Sequence, residues 1–434
     1  MNRTLVLLLV ISLLGFLDWY AFQSIKTLTA ASSELTRRIS TYVYWTISAS
    51  AIASLLIYSF VPSAPHSLRQ MLVSWAFMLY IAKFFGIFFV LLDDLIRAVK
   101  WVYFRFFTPE STPISEENTI TRSEFLAKTA LVAMATPLGA MTWGILSGAH
   151  DYRIRRRTVV LPNLPKAFDG LRLVQISDIH SGSFFNKTAV KGGIEMILNE
   201  KPDLICFTGD LVNNIASEMR DYQDLFSRLK ADLGVFSVLG NHDYGDYYRW
   251  DSKAEKAKNL QDLIQTHKNM GWNLLQDQNH ILTQSGEKLA LIGVQNWGTG
   301  GFARYGNLEK AYQGSQEAAT KILLSHDPSH WDAQVNGSKA HLTENVDFFE
   351  AQHIQKRQFK DIDLTLSGHT HGMQFGIETP FFRWSPVQYR YEQWADLYQK
   401  ENQYLYVNRG FGYIGYPGRI GMPPEITVLE LKRA

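Results

Sequence analysis

The chain holds one cysteine in 434 residues, Cys206. An intramolecular disulfide and a thiolate metal cluster are therefore both excluded, and cysteine usage says nothing about redox compartment. Cys206 lies in the apolar run 204–207 and reads as a small buried hydrophobe. Excess charge of one sign is also missing. Lys and Arg number 43 against 41 Asp and Glu, a formal net charge of +2, so no global field favours nucleic acid. There is no internal repeat and no low-complexity tract.

What is present is distributed unevenly. Four long apolar runs, at about 4–22, 41–61, 71–92 and 129–149, each approach the roughly 20 helical residues that a bilayer requires. Four such spans in succession argue against a soluble helical bundle. A cleaved signal peptide would account for the first run alone. Trp19, Tyr20, Tyr42, Tyr44, Trp45, Trp75, Trp101 and Tyr103 cluster near the run ends, as interfacial aromatics do. The first run carries Asp18 and the third Lys83; mutual pairing and separate snorkelling are both open. The expected organisation is a transmembrane region over 1–150 and a globular domain over 151–434.

Basic residues set the expected orientation. Lys26, Arg37 and Arg38 fall in loop one, and Arg97, Lys100, Arg105 and Arg122 in loop three. Only Arg3 and Arg69 oppose them. The positive-inside rule then puts loops one and three in the cytoplasm and both termini outside it. Arg153, Arg155, Arg156 and Arg157 cut the other way, but they lead into Val159, Val160 and Leu161 and read as a strand of the folded domain. The localisation expected is an integral membrane protein of a bacterial inner membrane, with the globular domain extracytoplasmic.

Beyond about residue 152, short β-rich runs alternate with amphipathic stretches. Strands are expected at 171–177, 203–208, 235–239, 289–294, 321–325, 362–367, 403–408 and 425–432, and helices at 187–200 and 217–229. This alternation predicts an α/β layered domain. Five of the apolar runs end in polar motifs. These are Asp178-Ile-His180, Gly209-Asp210, Gly240-Asn241-His242-Asp243, a lone His326, and Gly368-His369-Thr-His371. In open α/β sheets, ligands bind beyond the C-terminal ends of strands. Carboxylate, amide and imidazole groups without thiolate suit divalent Mn, Fe or Zn. The donors outnumber one coordination sphere, so two ions bridged by one carboxylate are expected. Taken singly, each motif has an ordinary structural reading: a turn, a loop pair, a hydrogen-bonded core histidine. All five in this order are hard to reach by accident.

The ordered set resembles the calcineurin-like metallophosphoesterase superfamily over about 152–434, and more closely its membrane-anchored bacterial members of the YkuE type. The resemblance implies a β-sandwich flanked by helices. It implies one metal on Asp178, His180 and His371, a second on Asn241, His326 and His369, and Asp210 bridging. His242 would be the general acid, oriented by Asp243. Two cations would lower the pKa of a bridging water, which attacks phosphorus in line. Arg409 and Arg419, in the Gly- and aromatic-rich stretch 407–419, are candidates for substrate contact, set against ordinary surface roles. The polar segment 333–360, with His341 and His353, is long for this family and reads as a lid or insertion.

The leading expectation is metal-dependent phosphoester hydrolysis, on a lipid-linked substrate if the anchoring is a guide. The rival is a non-catalytic membrane sensor or scaffold whose metallodomain binds a phosphoryl ligand. A metal-dependent amidohydrolase is a third reading, weakened because His-x-His comes last here and usually comes first there.

Overall fold

The computed structural model describes residues 3–61, 66–107, 122–299, 301–337 and 359–434. They divide into two compact units, Met1–Trp143 and Gly144–Ala434.

The first unit is helical. Helices α1 (Arg3–Thr29), α2 (Glu34–Phe60), α3 (His66–Phe107) and α4 (Arg122–Leu146) are each long and apolar enough to cross a membrane, and the chain is an integral membrane protein. Side chains such as Leu8, Leu13, Phe16, Phe84, Phe88 and Leu95 point outward, as lipid-facing residues do. α3 is one continuous helix of 42 residues, about 63 Å at 1.5 Å per residue, twice the hydrocarbon thickness. Arg97, Lys100 and Arg105 therefore lie on its continuation rather than in a loop, and Arg122 opens α4. The open question about Asp18 and Lys83 is answered by pairing. Lys83 Nζ contacts Asp18 Oδ1 and donates to Ser48 Oγ at 2.8 Å, while Tyr80 donates to Asp18 Oδ2 at 3.0 Å. Both charges are buried, so each desolvation cost is offset by a partner and a hydroxyl.

The second unit is a sandwich of two six-stranded sheets. In chain order the strands are β1 (Arg153–Leu161), β2 (Arg172–Ile176), β3 (Leu204–Phe207), β4 (Val235–Ser237), β5 (Asn273–Leu274), β6 (Gln278–Gln284), β7 (Glu287–Gly293), β8 (Thr320–Leu324), β9 (Leu364–Ser367), β10 (Ile377–Glu378), β11 (Arg383–Trp384), β12 (Asp396–Lys400), β13 (Gln403–Val407) and β14 (Glu425–Arg433). One sheet runs β1-β14-β2-β3-β4-β5 and the other β12-β13-β9-β8-β7-β6; β10 and β11 form a separate hairpin. β2 through β5 are parallel, as are β7, β8, β9 and β13.

Alternation along the strands explains their unbroken apolar runs. Leu204 and Cys206 of β3 face the core between the sheets, with Leu291, Leu324 and Leu366. Ile205 and Phe207 face outward into a second core, formed with α5 (Lys187–Asn199) and Leu263. A strand covered on both faces has no polar side to show. A third apolar layer, including Leu323, Leu405 and Trp331, covers the other sheet.

The helix expected at 217–229 is corrected. The chain forms a tight turn at Ala216–Met219 and a short helix α6 (Gln223–Phe226). Glu218 reaches back to accept the backbone N–H of Asn213 at 2.6 Å and of Ile215 at 3.3 Å, which tightens that turn. Helices α7 (Lys253–Asn269) and α8 (Leu308–Tyr312) complete the unit. Of the segment 333–360, the chain through Val335 is a buried helical turn, while 338–358, with His341 and His353, lies outside the described residues.

Candidate metal centre

β2, β3 and β4 of one sheet and β8 and β9 of the other run toward one edge of the sandwich, and each is followed at once by a polar motif. The loops are short and the backbone there is forced. Asp178, His180, Asp210, His369 and His371 all adopt φ between 48° and 69°, in the left-handed region. For an L-residue with a side chain this costs roughly 1–2 kcal/mol. Such strain persists only where the surroundings over-determine it.

The surroundings here are mutual. His369 N donates to both oxygens of Asp178, each at 3.0 Å, and His242 N donates to Asp210 Oδ1 at 2.9 Å. Asp178 N donates to Gly209 O at 2.9 Å, and Gly368 N to His326 O at 2.9 Å. Gly209, at φ 99°, has the Gly240 backbone and His326 Nδ1 within 3 Å of where a Cβ would stand, so no other residue fits.

The side chains form two groups. Asp178, His180 and His371 make one; Asp210, His326 and His369 make the other. In the first, His180 Nε2 lies 3.1 Å from His371 Nε2, which lies 3.2 Å from Asp178 Oδ1. In the second, His369 Nδ1 lies 3.2 Å from His326 Nε2 and 2.9 Å from Asn241 Oδ1. Asp210 Oδ2 is 3.2 Å from His326 Nε2 and 3.4 Å from His180 Nε2, so it stands between the groups. Two ligands each about 2.1 Å from one cation lie roughly 3.0–3.4 Å apart. The donor types and spacings fit a divalent ion in each group. His326 Nδ1 donates to Thr208 O at 2.8 Å, which aims Nε2 inward, the arrangement expected of a ligating imidazole.

The electrostatics agree with the donor set. Burial opposes ionisation of Asp178, yet the His371 and His326 imidazoles hold its carboxyl below the usual range. Asp210 is held low in the same way, against burial, by His326 and His242. Burial disfavours the His326 cation, but Asp210 and Asp178 push it up to about 10. Burial drives His180 and His369 downward, to the neutral form. Two ionised carboxylates beside neutral His180 and His369, shut away from water, make a cation-attracting pocket, and a bound cation would take the place of the His326 proton.

Three expected roles are corrected by contacts. Asp243 does not touch the His242 ring. Its Oδ2 accepts the N–H of Asp210 and of Gly240, both at 2.9 Å, and its Oδ1 accepts those of Leu211 at 2.8 Å and Val212 at 3.3 Å. Burial and the Asp210 charge push its carboxyl up to about 7, while four donors facing it select the ionised form. His242 is oriented instead through Nδ1, which donates to Asn213 O at 2.8 Å. Its half-buried ring packs edge-on to His180, with centroids 5.0 Å apart. Arg409 and Arg419 are neither surface groups nor free to reach a substrate. Arg409 is fully buried and donates to Glu425 and, at 2.9 Å, to Glu378. Arg419 is buried and donates to the carbonyls of Arg409 at 2.8 Å, Gly412 at 2.9 Å and Met422 at 3.2 Å.

Residues that no motif announced also belong to the site. Tyr391 OH sits 2.9 Å from His369 Nε2 and donates to Asp327 Oδ2 at 3.3 Å. Tyr247 OH accepts from Asn241 Nδ2 at 2.9 Å, and its ring lies 4.6 Å from that of His242. Asn213 acts through a carbonyl, which a side-chain pattern cannot reveal.

Residues 171–373 match the family model of the calcineurin-like phosphoesterases, and residues 2–149 match a model described as "Probable Calcineurin-like phosphoesterase, transmembrane domain". The chain is 28% identical over 324 residues to a transmembrane protein with metallophosphoesterase domain from Danio rerio, covering 74% of this chain and 66% of that one. It is 28% identical over 310 residues to the uncharacterized metallophosphoesterase YkuE of Bacillus subtilis, covering 68% of this chain and 94% of that one. It is 26% identical over 345 residues to the UDP-2,3-diacylglucosamine pyrophosphatase LpxG of Chlamydia trachomatis, again 68% and 94%. The chain thus spans just under two thirds of the Danio rerio protein's length. The two matched regions, with both donor groups inside the second, assign the chain to the calcineurin-like phosphoesterase family in its membrane-anchored form.

Proposed function

We propose that the chain hydrolyses a phosphoester with two divalent cations, Mn, Fe or Zn, held by Asp178, His180 and His371 on one side and by Asn241, His326 and His369 on the other, with Asp210 shared. The observation that carries this reading is the position of Asp210 Oδ2, within 3.4 Å of an imidazole nitrogen from each group. When bound, such a pair of cations supplies Lewis acidity and a water of lowered pKa. The chain's own residues do the rest. Neutral Asn241 adds a ligand without adding negative charge, which leaves the pocket receptive to an anionic phosphate. The Asn213 carbonyl fixes the His242 tautomer with its proton on Nδ1, and protonation at Nε2 lets His242 deliver a proton to the leaving oxygen. Tyr391 and Asp327 brace His369 from behind.

A lipid-linked substrate is the reading we favour. Membrane anchoring supports it, and so does the likeness to the Chlamydia relative, a pyrophosphatase of a diacylated nucleotide sugar. The catalytic unit is placed outside the cytoplasm of a bacterial inner membrane. The basic run after α4 does not count against this placement, because it serves the fold: Arg155 pairs with Glu378, Arg156 with Glu200 and Arg157 with Asp396.

The test is Asp210→Asn. Metal content per chain and hydrolysis of p-nitrophenyl phosphate, bis-p-nitrophenyl phosphate and diacylated pyrophosphates are to fall together. Full metal occupancy with wild-type turnover would remove the shared-ligand reading.

A further inference from the structure

The strongest feature that the hydrolytic site leaves unused begins two residues beyond His371. Met373, Phe375, Ile377, Phe381, Phe382 and Tyr389 are all exposed, and Phe381 is 99% exposed. They lie on and around the hairpin of β10 and β11. A folded surface rarely gathers this much bare apolar area without a partner.

The hairpin is built to show it. Thr379 N donates to Phe382 O at 2.8 Å and Phe382 N to Thr379 Oγ1 at 3.0 Å, which closes the turn and holds both phenylalanines outward. Between residues 373 and 382 the only charged residue is Glu378. It is turned inward to Arg155 Nη1 at 3.1 Å and Arg409 Nη2 at 2.9 Å. Polarity is thereby removed from the outer face.

The neighbourhood says what covers this face. The last turn of α4, from Gly144 onward, belongs to the catalytic unit, and Gly144 O accepts the N–H of Arg419 at 3.1 Å. The next residue, Ile420, pairs with the root of the hairpin: its N–H donates to Gln374 O at 2.8 Å, and its carbonyl accepts Gly376 N–H at 2.9 Å. Leu146, at the end of the membrane helix, is itself 72% exposed. The apolar face is therefore joined, through one paired segment, to the C-terminal end of the fourth apolar span, which runs from Glu124 to His150.

We infer that the hairpin 373–389 dips into the interface of the same bilayer that the chain spans, a second, non-covalent membrane contact at the mouth of the metal site. Aromatic and aliphatic side chains suit the headgroup–acyl boundary, and the two charges within 373–389 are tied to the protein: Glu378 to Arg155 and Arg409, and Arg383 to the carbonyl of Ala395 at 2.9 Å. This surface does not depend on the proposed hydrolysis, because its test needs no turnover.

The single native cysteine is buried, so Phe381→Cys in the full chain takes a thiol-reactive, polarity-sensitive fluorophore at one place. Ser285→Cys, on the exposed β6–β7 turn at the opposite sheet edge, is the control. Both are reconstituted in phosphatidylethanolamine–phosphatidylglycerol vesicles with or without brominated acyl chains. The expected result is blue-shifted emission at 381 that loses most of its intensity with brominated lipid, and solvent-like, unquenched emission at 285. Solvent-like emission at 381 overturns the inference. So does a blue shift without bromine quenching, which would put a second copy of the chain over the hairpin.

Discussion

Replacing Asp243 by Asn separates two accounts of the same residue. The family resemblance implies a carboxylate that orients His242; the structure shows one that accepts four backbone N–H groups from the loops carrying Asp210 and Asn241. Asn keeps one carbonyl oxygen. Two of the four donors, buried, would lose their acceptor and face an amide NH₂. An orphaned buried donor costs about 1–3 kcal/mol, so Asp243→Asn is expected to destabilise the catalytic unit by about 2–6 kcal/mol. At roughly 2 °C or more per kcal/mol, the unfolding midpoint should fall by at least about 4 °C. Metal affinity should fall with it, because the same loops aim Asp210 and Asn241. The His242 ring keeps its Asn213 partner, so protein that still holds metal should retain its dependence on leaving-group pKa. The assay is thermal unfolding in detergent with metal analysis and hydrolysis of a series of aryl phosphates. An unchanged midpoint, full metal content and a large loss of turnover would refute the contact-based account and restore the orienting role.

Other outcomes follow from the same contacts. His242→Ala should lower turnover by about 10²–10⁴-fold with metals retained, the loss being greatest for substrates with poor leaving groups; a parallel loss of metal would make His242 a ligand. His267 is fully buried, with Nδ1 3.0 Å from Ser237 Oγ, and burial lowers its pKa to about 3. Its folded pKa lies below the unfolded value of about 6.5, so the stability it contributes is present above pH 6.5 and is lost as pH falls toward 3. At pH 5 the loss is about 2 kcal/mol, and His267→Gln should flatten the acid limb of stability against pH by that amount in unfolding measurements at pH 7.5 and 5.

Much of the site could be read from the chain because its information is local. Each apolar run of four or five residues stops at a polar motif, and strands buried on both faces leave that break as the one conspicuous feature of the pattern. Asp178, His180, Asp210, Asn241, His326, His369 and His371 were all visible in this way, and the structure brings them together. Roles set by backbone groups were not visible. Asp243 answers to amides at 210, 211, 212 and 240, and His242 to a carbonyl at 213, none of which has a side-chain signature. The fates of Arg409 and Arg419 depend on Glu425 and Glu378 and on carbonyls of the same loop, contacts set by tertiary closure. Lys83 and Asp18 are 65 residues apart, and only helix packing decides whether they meet.

The left-handed turns at the strand ends carry a consequence for anyone mutating them. Alanine at Asp178, Asp210 or His371 would delete a donor yet keep a Cβ in an unfavourable conformation, whereas glycine would delete the donor and release the constraint. Stability measured on glycine variants alone thus mixes two opposite contributions, whereas alanine variants report the loss of the donor with the strain kept. A paired alanine and glycine series divides them, and the gap between the two is the conformational tension that folding stores where the chemistry is done.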